Sequence, residues 1–279
     1  MRRLTLAAQI LLTLAANAAL ASAALAHTPY VAPINFAPDR DYVTLEAALA
    51  ETNYFVPDFP IRGAEYTVIG PAGQTVKAKS TELRELAVVE AALPQQGTYR
   101  ITTGERPGRR GKWAKVDGKW LVVTNGPVSD DDAGARAIQE SKLPAGAEIM
   151  NTQSFITAET YVTRGKPTPG ALKPIGKGLE LAPETNPSEI YTKAPFKFAM
   201  LIDGKPVSGV NFNVSRAGDL YADKRYTHDG KSAADGKASV TFDQPGVYVL
   251  EVQYPERAEG SPVPIPRSAI YSLTFEVTR

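Results

Sequence analysis

Short runs in which apolar and polar residues alternate, cut by Gly, Pro and Asp, fill the chain from residue 42 onward. A period of two puts successive side chains on opposite faces, so these runs are predicted as half-buried strands. In the first half they fall at Tyr42–Leu49, Tyr66–Ile69, Thr75–Ala78, Leu86–Ala92, Thr98–Thr103, Trp113–Val116 and Lys119–Val123. Asp117-Gly118 sits between the last two and signals a two-residue hairpin turn. In the second half they fall at Ser154–Thr163, Phe196–Ile202, Val210–Arg216, Ala238–Phe242, Val247–Tyr254 and Ile270–Thr278. Turns are expected at Asp203-Gly204-Lys205-Pro206, Asp229-Gly230, Asp235-Gly236 and Pro245-Gly246.

One short helix is expected between the halves, from about Asp132 to Lys142, capped by Ser129 or Asp130. The predicted organisation is therefore an N-terminal β-sandwich over 27–128, a linker with a short helix over 129–147, and a C-terminal β-sandwich over 148–279. The halves echo one another. Pro94-Gln95-Gln96-Gly97-Thr98-Tyr99 and Gln244-Pro245-Gly246-Val247-Tyr248 both place a Tyr two residues after a corner Gly. A Tyr there can bond back to its corner, as in immunoglobulin-like sandwiches. The fold class is all-β: two tandem antiparallel β-sandwiches of immunoglobulin or prealbumin type.

The first 26 residues read differently. Arg2 and Arg3 precede an uncharged Ala/Leu-rich stretch, and Ala24-Leu25-Ala26 offers the small residues that a signal peptidase reads. The expectation is a cleaved signal peptide, a periplasmic protein and a mature N-terminus at His27. Removing the two arginines shifts the formal charge from +1 to −1. A charge so near zero is not expected to hold nucleic acid or an anionic membrane. With no Cys, disulfides and thiolate metal sites are excluded.

The chain has two His, His27 and His228, and any imidazole chemistry rests on them. A residue that carries both a free α-amine and an imidazole can chelate a divalent metal, with nickel and copper suited to nitrogen ligands. His228 could add a third nitrogen, and Asp223 and Asp229 lie nearby in sequence as oxygen donors, although their Gly neighbours also fit turns. Asp130-Asp131-Asp132 lacks the spaced ligands of a calcium loop and fits a helix cap. Arg106, Arg109, Arg110, Lys112 and Lys115 gather on one hairpin beside Trp113 and Trp120. An acidic partner or a sugar is conceivable there, but a solvated hairpin with one buried Trp is the simpler expectation. There is no Gly-x-Ser-x-Gly elbow, and no triad has local support.

Four stretches line up in order: Ala26-His27, Gly178-Leu179-Glu180-Leu181-Ala182-Pro183, Asp203-Gly204-Lys205-Pro206 and Asp235-Gly236-Lys237-Ala238. With these the chain resembles an uncharacterised bacterial periplasmic family often labelled as an accessory component of cobalt/nickel ABC transport. That family usually follows its leading His with an acidic residue and Trp, where this chain has Thr28-Pro29-Tyr30. The resemblance implies a non-enzymatic periplasmic protein that handles nickel, cobalt or copper. Its partner would be an inner-membrane metal transporter or an outer-membrane receptor. The alternatives are a metal-free envelope module for a protein or polysaccharide, and a copper monooxygenase of the histidine-brace kind.

Overall fold

The computed structural model describes residues 27–50, 55–128, 136–218, 227–256 and 263–279. The alternating runs do become strands. β1 (Thr28–Pro33), β2 (Tyr42–Ala50), β6 (Ala87–Ala92) and β5 (Lys79–Glu82) form one sheet in that order. It packs on β3 (Thr67–Ile69), β7 (Gly97–Thr102) and part of β11 (Glu148–Arg164), with β4 (Thr75–Lys77) paired to β3. The core between them holds Val31, Leu45, Val89, Tyr99, Ile101, Ala158 and Val162.

A second sandwich joins a small sheet to a large one. The small sheet is β12 (Leu179–Pro183), β13 (Pro195–Ile202), β14 (Lys205–Pro206) and β17 (Lys237–Thr241). The large sheet runs β10 (Ala137–Gln139), β9 (Lys119–Thr124), β8 (Arg106–Val116), β11, β19 (Arg267–Val277), β18 (Gly246–Tyr254), β15 (Asn211–Arg216) and β16 (Thr227–Lys231). Phe196, Phe198, Phe242, Tyr248 and Phe275 meet in the core between these sheets, with ring centroids 4.8–5.9 Å apart. Burying each ring contributes about 1.5–3 kcal/mol. The fold is all-β, built of β-sandwiches. Helix among the described residues is of the 3-10 kind, with full turns at Glu140–Lys142 and Gly170–Leu172.

The strand that links the sandwiches is β11. One of its edges pairs antiparallel with β8 over its first half and with β7 over its second. Its other edge pairs parallel with β19. Because neighbouring residues of a strand face opposite ways, Ala158 and Val162 enter the first core while Tyr161 enters the second. A boundary at 147/148 therefore divides the sequence but not the sheet.

Both corner tyrosines make the expected bond. The Tyr99 hydroxyl donates to the Gln95 carbonyl at 2.7 Å, and Tyr248 does the same to Gln244 at 2.7 Å. Tyr248→Phe should cost about 1 kcal/mol in a urea titration, the worth of one such bond. An unchanged midpoint would show the corner to be idle.

Two expectations are corrected, and one strand is added. The helix over 132–142 is replaced, where described, by β10 and a single 3-10 turn. The open edge of β9 offers backbone partners, whereas a helix there would carry Gly134 and the β-branched Ile138. Asp229-Gly230 is no turn but the middle of β16. Gly230 is needed because the Phe212 ring lies 2.1 Å from where a Cβ would stand. Finally, β1 was not expected, because Pro29 and Pro33 obscure its pattern. It survives as an edge strand, the place where Pro is tolerated.

Candidate functional site

β1 is buried along its whole length, so the residue before it is anchored rather than frayed. β1 pairs with β2, placing Pro29 opposite Leu49. Leu49 in turn exchanges backbone bonds with the next segment, donating to Phe59 at 2.9 Å and accepting from Asp58 at 3.0 Å. That exchange carries Asp58 and Phe59 to His27. The imidazole Nε2 stands 3.5 Å from an Asp58 carboxylate oxygen, and the ring rests 4.6 Å from the Phe59 ring. His27 is half-buried.

Around it lie further polar groups. The Tyr30 hydroxyl donates to Glu46 at 3.2 Å, and Phe55 closes edge-on over the Tyr30 ring at 5.2 Å. Burial, with the Glu46 charge beside it, pushes the Tyr30 phenol far above its usual range. Burial also raises Glu46, against the opposing bond from Tyr30. The Thr28 hydroxyl donates to Glu251 on β18, a carboxyl raised by burial and partly held back by that bond. The Ser272 hydroxyl on β19 donates to the Pro29 carbonyl. The first residues of β1 are thus tied to the second sandwich.

With the Asp58 carboxylate beside Nε2, the ring nitrogen left to a metal is Nδ1, the one joined to Cγ. A carboxylate behind an imidazole is the usual orienting partner of a metal-binding His. Nδ1 and the His27 backbone nitrogen are separated by the atoms of one residue, so a metal between them closes a six-membered ring. That nitrogen can coordinate as an amine only if residue 27 is the N-terminus.

Of the residues proposed as metal ligands, His27 and His228 are not brought together. His228 lies opposite Val214, a core residue, and so shares the inner face of the large sheet. Thr28 reaches Glu251 on the outer face, where Glu251 opposes Asn213 and Asn213 opposes Asp229. The sheet stands between His228 and the N-terminal cluster. A histidine brace needs both imidazoles on one metal. Asp229 Oδ1 accepts from Asn213 Nδ2 at 2.7 Å. Asp223 and Asp130-Asp131-Asp132 lie outside the described residues. Among the described residues, no three His, Asp or Glu converge as a ready metal cage.

A second polar cluster lies between the cores and was not anticipated. Arg100 on β7 is 1% exposed. It donates through Nε to Glu159 at 2.8 Å and through a terminal nitrogen at 2.7 Å. A second carboxyl, Glu180, stands 3.7 Å away and accepts from the backbone N–H groups of Ile175 and Gly176 at 2.8 and 2.7 Å. The Tyr271 hydroxyl donates to the other Glu159 oxygen. Burial works against the Arg100 charge, but Glu159 with Tyr161 and Tyr271 together outweigh it and hold the guanidinium more firmly protonated. A cleft of about 180 Å³ opens beside Arg100 and Glu180, with Glu105, Thr157 and Lys177 on its walls. Arg100, Glu159 and Glu180 are satisfied by one another and by neighbouring donors, which is the arrangement of a structural clamp. A lone Arg inside the strand phrase Thr98-Tyr99-Arg100-Ile101 was the available signal, since an ion in a strand buried on both faces needs a buried counter-ion.

No curated protein matches the chain. Among solved structures it is similar to the D0-D1 domain of Intimin, with 10% identity, 90% of this chain and 99% of that one covered, and a TM-score of 0.22. A tetra-tandem repeat in the extending region of a large adhesion protein gives 12%, 90%, 74% and 0.22 in the same order. The FN1-FN3 domains of chicken CNTN1 give 12%, 91%, 100% and 0.23. Superpositions this loose carry no weight about what the chain does. A family profile spans residues 24–256, and the chain belongs to that family, described as Domain of unknown function (DUF4198).

Proposed function

We propose that the chain is processed after Ala26 and acts as a non-enzymatic periplasmic accessory protein that takes nickel, cobalt or copper at His27. The supporting observation is the Asp58 carboxylate at 3.5 Å from Nε2, which leaves Nδ1 as the nitrogen to pair with the α-amine. The anchored start of β1 adds to it, because a fixed terminus gives up little further freedom when a metal binds. The partner is an inner-membrane metal transporter or outer-membrane receptor that takes up the ion.

Calorimetry with nickel and copper tests this on three proteins: one beginning at His27, one with a Met before His27, and Asp58→Asn. The added Met keeps every side chain but turns the amine into an amide, and it should abolish tight binding. Asp58→Asn should weaken binding by about 10- to 100-fold, the usual effect of losing an orienting partner. Binding should also fall as the medium is acidified, since protons compete for both nitrogens. If the extended protein binds as tightly as the one beginning at His27, the N-terminal site is wrong. Loss of binding in His228→Ala alone would move the site to the second sandwich.

A further inference from the structure

The hairpin β8–β9, with β10 and the first half of β11, forms a four-stranded wing beyond both cores. Between Glu105 and Ile156, Ala114 is the one fully buried residue among those described. An antiparallel sheet with water on both sides should be polar on both. This one is not. Cross-strand pairing puts Trp113, Val122, Met150 and Trp120 on one face. Leu121, Ala114, Ile149, Val123 and Ile138 share the other. Ile149 is 41% exposed, and both Trp are only partly covered, against the expectation that one would be buried.

The charge of the wing is as uneven as its polarity. From Arg106 to Thr124 the hairpin carries Arg106, Arg109, Arg110, Lys112, Lys115 and Lys119 against Asp117 alone. Lys112 pairs with Glu140, and Lys115 pairs with Glu148 while lying 5.9 Å from the Trp120 ring centre. Arg106 is held by the carbonyls of Ile61 and Arg62, and Arg110 by Gln153 at 2.9 Å. Arg109 and Lys119 are exposed. Six of the chain's 31 basic residues thus lie on one projecting hairpin, within a chain whose total charge is near zero.

We propose that this wing is a peripheral docking surface for an anionic lipid bilayer. A protein partner on one face would leave the other apolar face in water, whereas an interfacial lipid layer receives both. Trp prefers the headgroup level, and long cationic side chains keep their charges at the phosphates while their stems lie on apolar surface. Charge complementarity selects the anionic lipid, each basic residue at such a surface being worth about fivefold in affinity. The described helices are too short to cross a membrane, and the attachment proposed here crosses nothing.

The test is flotation of the full processed chain with vesicles of phosphatidylcholine alone or with phosphatidylglycerol added. The chain has two Trp, both on the wing, so its emission reports this surface directly. Protein should float with the phosphatidylglycerol vesicles at low salt, with Trp emission shifted to the blue, and release as salt rises. The triple variant Arg109→Gln/Arg110→Gln/Lys119→Gln, all exposed positions, should bind on the order of a hundredfold more weakly. Trp120→Ala should weaken binding at unchanged net charge. Equal binding to the neutral vesicles, no binding to either, or binding with unshifted Trp emission overturns the proposal. So does a concentration-dependent dimer that Trp120→Ala dissociates, because the wing's occupant is then a second copy.

Discussion

Arg100→Leu is expected to lower the folding stability of the whole chain by about 3–5 kcal/mol, the usual cost of removing one partner from a buried ion pair. The change strips the cation from Glu159, itself 0% exposed, and from Glu180 beside it. The remaining donors, Tyr271 and two backbone N–H groups, cannot neutralise two buried carboxyls. A urea titration should show an earlier midpoint at nearly the same slope. The control is Arg100→Leu with Glu159→Leu, which removes both charges and should recover much of the loss, since apolar replacements of buried pairs are often neutral or better. If Arg100→Leu moves the midpoint by less than the error of the fit, the cluster is not a clamp.

The second large effect concerns the boundary read from the sequence. Residues 27–147 made alone should fail to unfold cooperatively. They lack Ala158 and Val162 from their core, and both β7 and β8 lose β11 from one of their edges. Residues 148–279 keep all of the second core but expose an edge of β11 and leave Glu159 and Glu180 without Arg100. They should fold with reduced stability and associate through that edge. Circular dichroism melts of the two pieces, separately and mixed, decide the matter. Two independently stable monomeric halves would mean that the shared strand contributes little.

What could be read locally was read. Asp117-Gly118 needed no tertiary information, because a two-residue hairpin demands positive φ at both positions, and 48° and 77° are found. The two corner tyrosines were visible for the same reason, each closing a bond over four residues. Asp229-Gly230 misled because Gly serves two purposes, and only the Phe212 ring across the strand reveals which applies. The partners of Arg100 stand 59 and 80 positions further along, beyond any local pattern. The site was half legible. His27 stood out by rarity, but Asp58 reaches it only through the bridge from Leu49 to Phe59, and His228 belongs to a face that no spacing could disclose.

The parallel pairing of β11 with β19, and the bond from Thr28 to Glu251 across 223 positions, bear on the timing of folding. During synthesis β1 emerges first, yet the surface it rests on does not exist until β18 and β19 have been made. Until then β1 is unmatched on one side and β11 is open along an edge. Contacts so distant in sequence make folding slow, since a long loop must close before they are gained. The fold is therefore completed late, when strands made last close against the strand made first.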